Sequence, residues 1–122
     1  MKKIALFFVF IVLFLCGCSN NSGASEMTLV DYKEAKELVS EGAILIDVRT
    51  LEEYDTYHIE GAVLMSLDTI DEDVAEDVID SFDKKVIVYC RSGKRSNDAA
   101  KKLVSLGYKN VYDLGSIDKW EE

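Results

Sequence analysis

Between residues 43 and 114 the sequence holds several apolar runs of strand length, with segments of helical periodicity between them. Residues 43–48 and 85–89 (KVIVY) are rich in Ile and Val, the signature of strands buried on both faces. Residues 61–64 and 111–114 predict two more short strands. Strands joined by helices predict an α/β fold, a small parallel β-sheet with helices on both faces. In such sheets a ligand sits outside the carboxyl ends of the strands.

The helical segments carry their own start and stop signals. Thr28 with Asp31 three residues later is expected to open a first helix, with Leu29, Tyr32, Ala35, Lys36 and Val39 near helical spacing and Gly42 as its stop. Thr50 with Glu53 is a second capping box, opening a short helix through Tyr57. Residues 68–83 carry eight acids and no base. Val74, Val78, Ile79 and Phe82 fall on one face of that stretch, which predicts an amphipathic helix with a solvated acidic side. Residues 96–106 predict another helix, apolar at Ala99, Ala100, Leu103, Val104 and Leu106 and stopped by Gly107. A short turn then leads to Trp120.

The N-terminus reads differently. Met1-Lys2-Lys3 precedes twelve residues, 4–15, without a polar side chain. A membrane span needs about 20 apolar residues, whereas this run suits the apolar core of a secretory signal. It ends in Leu15-Cys16-Gly17-Cys18, which resembles a bacterial lipobox with Cys18 as the lipid acceptor. A secretory signal with an incidental cysteine, or an uncleaved anchor, is the competing reading. Residues 18–26 are rich in Ser, Asn and Gly, as a flexible tether would be. The expected organisation is a removed lipoprotein signal at 1–17, a lipidated Cys18 with its tether at 18–26, and one domain at 27–122. The mature protein would sit outside the cytoplasm, held to a bacterial membrane by its lipid anchor.

Removal of the signal leaves 12 basic residues against 23 acidic ones, a side-chain charge of −11. That balance excludes a nucleic-acid partner, which needs a basic face to neutralise phosphates. The 3 cysteines in the sequence are too few for a disulfide scaffold or a four-ligand zinc site. With Cys16 removed and Cys18 lipidated, Cys90 is the one free thiol, and no redox pair can form. No metal and no cofactor are expected.

Cys90 directly follows KVIVY, and Arg91-Ser92-Gly93-Lys94-Arg95 leads from it into the helix expected at Ser96. A cysteine between a strand and a helix N-terminus faces inward-pointing amides and the positive end of the helix dipole. The cations Arg91, Lys94 and Arg95 stand beside it. Such surroundings favour thiolate over thiol. Gly93 lets the loop curl so that successive amides converge on one point. A buried structural cysteine that merely ends a strand is the alternative.

The sequence CRSGKRS after VIVY resembles the active-site loop of rhodanese-family sulfurtransferases. Three further segments fall in the family's order: LIDVRTLEEY at 45–54, HIEGA at 58–62 and LGSIDKW at 114–120. By that resemblance Cys90 is a nucleophile that carries a persulfide, and the amides of residues 91–95 hold the sulfur. Asp47, Arg49, Glu53, His58 and Gly61 match positions that frame the site. From the residues themselves, Arg49 and Glu53 are expected to pair, and Asp47 to hold a loop or Arg49. His58, the only histidine, has a structural role here, because an ionised thiolate needs no general base. Trp120 is a core or lid aromatic. Two positions depart from the family pattern. Glu60 stands where proline is common, and Ser116 where a second glycine is, so the C-terminal loop is expected to be stiffer or differently shaped, with neither change touching the nucleophile.

The implied activity is a sulfur relay through Cys90, from a small anionic donor such as thiosulfate or a persulfide to a thiol or protein acceptor, or to cyanide. Cysteine-dependent phosphatases, some on a related fold, place an arginine where Ser96 stands here. The last arginine of this loop, Arg95, comes one residue sooner, which makes a phosphatase or arsenate reductase a minor alternative. A module that binds an anion, senses oxidants or presents a persulfide to a partner is the other reading.

Overall fold

The computed structural model describes residues 26–121. The signal segment 1–17, Cys18 and all of the tether but Glu26 lie outside the described residues. Strand β1 (Thr28–Leu29) is followed by helix α1 (Tyr32–Ser40), β2 (Ile44–Asp47), α2 (Leu51–Thr56) and β3 (Val63–Leu64). A 3-10 turn (Leu67–Thr69) and α3 (Glu72–Val78) lead to β4 (Lys85–Cys90), α4 (Lys94–Ser105) and β5 (Asn110–Ser116). A last 3-10 turn covers Ile117–Lys119.

The five strands form one sheet in the order β1-β5-β4-β2-β3, every pairing parallel. Its central strand β4 is buried from Val86 to Cys90, each residue at 0% exposure. Each fully buried Val or Ile contributes roughly 1.5–3 kcal/mol relative to an exposed one. The strand's period of two sorts its side chains onto opposite faces. Val86, Val88 and Cys90 pack with Ala75 of α3 and Ala99, Ala100 and Leu103 of α4. Ile87 and Tyr89 pack on the other face with Ala35 of α1, Ile59, Ala62 and Leu114. The expected parallel sheet with helices on both faces is therefore present.

Local signals explain most boundaries. Thr50 caps α2 through a reciprocal capping box, its hydroxyl accepting from the Glu53 amide. The opening of α1 differs from expectation. Thr28 and Leu29 are not helical; they form an edge strand against β5, and the helix is capped by Asp31, whose carboxylate accepts from the Glu34 amide at 2.8 Å. Asp31 with Glu34 is the stronger pair, since both side chains reach the backbone of the other.

The acidic stretch also differs. One helix does not span 68–83; α3 runs only over Glu72–Val78, capped by Asp71. At Ile79 the backbone turns extended (φ −114°, ψ 114°) while its side chain stays buried at 2% exposure. Phe82 therefore lies beyond the helix, half-exposed, with its ring 4.8 Å from that of Tyr108. The Phe82 carbonyl accepts from the Lys109 amide and the Asp83 carbonyl from the Asn110 side chain, long-range bonds that fix the segment as a loop.

Candidate active site

The site forms at the carboxyl end of β4. Residues 91–93 arch away from Cys90 and return at Gly93, the N-cap of α4, in a left-handed conformation (φ 104°). A side chain in that region costs roughly 1–2 kcal/mol, which glycine avoids. The turn brings two backbone amides onto the Cys90 sulfur. Gly93 N–H donates to Sγ at 3.0 Å and Ser96 N–H at 3.3 Å. Of the span 91–95 expected to hold the transferred sulfur, Gly93 gives an amide to Cys90 Sγ itself, and Ser96 in the first turn of α4, one residue beyond that span, supplies the other. Cys90 and Ser96 are both fully buried, and the Ser96 hydroxyl donates to the Gly93 carbonyl at 3.1 Å. Arg91, Ser92 and Lys94 are exposed, with Arg95 half-buried between them and the body of the domain.

Arg49 and Glu53 do not pair with each other. Each is taken by a different partner. Arg49 is buried and binds Asp47, Nε donating to Oδ1 at 3.0 Å and Nη2 to Oδ2 at 2.8 Å. The second expected role of Asp47, holding its neighbour Arg49, is the one found. The Asp47 carboxylate also accepts from the Arg49 amide at 2.9 Å and from the Tyr89 hydroxyl at 2.8 Å. Four donors satisfy a carboxylate at 0% exposure, which is what a buried charge requires. The carboxylate raises the Arg49 guanidinium above its ordinary value, and burial pushes the Tyr89 phenol up. Arg49 Nη2 further donates to the Tyr57 carbonyl at 2.6 Å, pinning the segment that follows α2.

Glu53 reaches across to the loop. Arg95 donates to it twice, at 2.7 and 3.1 Å. That pairing, helped by the Thr50 amide and hydroxyl, holds the Glu53 carboxyl at about 2, against 4.5 for a free one. Glu53 in turn raises Arg95. Of the three loop cations, Arg95 is therefore neutralised, while Arg91 and Lys94 form no ion pair among the described residues. Arg91 lines a cavity of about 850 Å³ together with Arg49, Glu53, Tyr57 and Trp120. Trp120 stands edge-on to Tyr32 at 5.2 Å as one wall of that cavity and also packs, partly buried, against the core of Ile87, Tyr89 and Leu114.

His58 packs at the end of α2. Its ring stacks on Tyr54 at 3.7 Å and Nδ1 donates to the Tyr54 carbonyl at 2.8 Å. Ser116 is the residue the sequence reasoning underrated. A bulge in β5, where Val88 pairs with Asp113 but Tyr89 with Gly115, sets Ser116 opposite Cys90. Its hydroxyl donates to the Arg91 carbonyl at 2.8 Å, one residue from the nucleophile. A glycine there would have no hydroxyl to give.

Two backbone amides aimed at one buried sulfur can stabilise negative charge on it. The sequence relationships agree with this geometry. Residues 31–122 match the family profile described as rhodanese-like domain. The chain belongs to the rhodanese-like family. It is 30% identical over 97 residues to the thiosulfate sulfurtransferase GlpE of Pseudomonas savastanoi pv. phaseolicola, covering 79% of this chain and 89% of that protein. Against the adenylyltransferase and sulfurtransferase UBA4 of Candida albicans it is 37% identical over 87 residues, 65% of this chain, and spans only 19% of that larger protein. Among solved structures, the fold is similar to a rhodanese with anions from E. coli (TM-score 0.60, 28% identity), over 64% of this chain and 91% of that one.

Proposed function

We propose that this rhodanese-like domain is a sulfurtransferase that carries sulfane sulfur as a persulfide on Cys90. The observation that carries the proposal is the pair of amides, from Gly93 and Ser96, aimed at Sγ. Such donors stabilise negative charge on sulfur in a site closed to water. The Cys90 thiolate attacks the outer sulfur of thiosulfate or a persulfide; a new S–S bond forms as the donor's S–S bond breaks, and sulfite or a thiolate leaves. An acceptor thiolate, or cyanide, then takes the terminal sulfur and returns the Cys90 thiolate, a ping-pong relay. Arg91 and Lys94 draw the anionic donor locally, and their reach of about 8 Å at physiological salt lets them act against the acidic surface. Arg49, Asp47, Glu53 and His58 frame the site. None is needed to move a proton.

Intact mass spectrometry of the protein after thiosulfate, then cyanide, tests this. Gain of one sulfur that cyanide removes, with thiocyanate accumulating over many turnovers and nothing gained by Cys90→Ser, is expected. An unloaded Cys90 with both thiosulfate and persulfide donors would overturn the assignment, and loading without turnover would make the domain a carrier rather than a catalyst.

The same proposal places the domain outside the cytoplasm on a lipid anchor at Cys18, supported by the basic start, the apolar run and the lipobox-like Leu15–Cys18. Fatty-acid labelling that survives Cys18→Ala would refute it.

A further inference from the structure

A further cavity of about 490 Å³ lies between β5, the first turn of α4 and the end of β1. Asp113 forms part of its wall. This carboxylate is 4% exposed, and its Oδ1 is buried without a hydrogen-bond partner among the described residues. Orphaned acceptors of this kind are rare because burying one without a donor costs free energy. Val111 and Val88 belong to the core beneath α4, and Asp113, two residues after Val111 and opposite Val88, faces the same way, toward the N-terminal turn of that helix. Asp98 adds a second carboxylate at the rim.

The cavity also presents two cations, Lys94 and Lys119, and neither forms an ion pair among the described residues. Lys119 lies over Gly115, whose missing side chain makes the room: a Cβ at Gly115 would come within 3.4 Å of Lys119 Nζ. One wall therefore offers a deep carboxylate as acceptor, and the rim supplies ammonium groups as donors. A bare cation would use only the wall and a bare anion only the rim.

We infer that this cavity is a binding site for a small zwitterion of the amino-acid class, its ammonium donating to Asp113 and its carboxylate lying between Lys94 and Lys119. The ligand would rest against Ser92 and Gly93, the backbone that delivers an amide to Cys90. The site stands on Asp113 and the lysines alone, and does not depend on sulfur transfer.

L-alanine is a suitable probe, with ethylamine and propionate as its two halves. Calorimetric titration of the protein should give saturable binding of alanine and, at the same concentrations, none of either half. Asp113→Asn should weaken binding by at least about tenfold, the effect of losing one charge-assisted hydrogen bond in a buried site. Lys119→Met, an exposed change that leaves the core intact, should weaken it as well. Amide shifts of Ser92 and Gly93 on titration would locate the ligand. Absence of saturable binding, binding indifferent to both variants, or ethylamine binding as tightly as alanine would overturn the assignment.

Discussion

Arg95, in the first turn of the helix that follows Cys90, grips Glu53, in the first turn of α2, through two hydrogen bonds of 2.7 and 3.1 Å. The pair fastens the nucleophile loop to an element 42 residues earlier in the chain. Its acid limb is directly measurable. The folded Glu53 carboxyl titrates at about 2, below its unfolded value of 4.5. A depressed carboxyl stabilises the fold fully above its unfolded value and loses that contribution as pH falls through the folded one. The melting temperature of wild type should therefore exceed that of Glu53→Gln by a constant margin above about pH 5, and the margin should close as pH approaches 2. A margin unchanged by pH would show that the pair contributes nothing through ionisation.

Tyr89→Phe removes one hydroxyl from a closed network. The phenol donates to Asp47 and accepts from the Ile59 amide at 3.1 Å. Both partners are buried, so each is left short of a bond, and the expected loss is about 1–3 kcal/mol. Urea denaturation of the two proteins gives the figure. A loss well under that range would mean that the network relaxes to re-pair its members.

Gly93→Ala tests the loop turn. Open space is not the constraint, since the nearest atom to a new Cβ is the Gly115 Cα at 3.8 Å. The constraint is the positive φ, so stability should fall by about 1–2 kcal/mol while the Gly93 amide turns away from Sγ. Sulfur loading of Cys90 should slow in the same variant. Unchanged loading would leave Ser96 as the amide that matters.

Ser116→Ala releases the clasp on Arg91. The hydroxyl is partly exposed, so global stability should change by no more than about 1 kcal/mol. The local effect is larger: hydrogen exchange at the amides of residues 91–93 should quicken while the core of β4 stays protected. Identical exchange in both proteins would show that the loop is rigid without the clasp.

Much of this was legible because it is local. The capping box of Thr50 and Glu53, the buried β4 and the Cys90 loop each lie within a few residues, and propensity and period suffice to read them. The expected Arg49–Glu53 pair was wrong for the opposite reason. Spacing along the chain offered it, but Arg49 is taken by its neighbour Asp47, to which the sheet also brings Tyr89, and the loop brings Arg95 to Glu53. The acidic segment was misread because its apolar residues keep helical spacing past Val78, while Ile79 finds its burial in extended backbone. Ser116 escaped notice because a bulge, invisible in the sequence pattern, decides which residue faces Cys90.

The pairing of β1 with β5 has a consequence for synthesis. Among the described residues, the first strand, at Thr28 and Leu29, has no neighbour in the sheet but Tyr112 and Asp113 of the last one. A chain emerging from its N-terminus can thus hold β1 only once Tyr112 and Asp113 are out. The clasp from Ser116 arrives later still, so the thiol at Cys90 is made well before its holder is complete. Contacts this far apart in sequence close slowly, and a truncated product would carry the reactive atom without the frame that governs it.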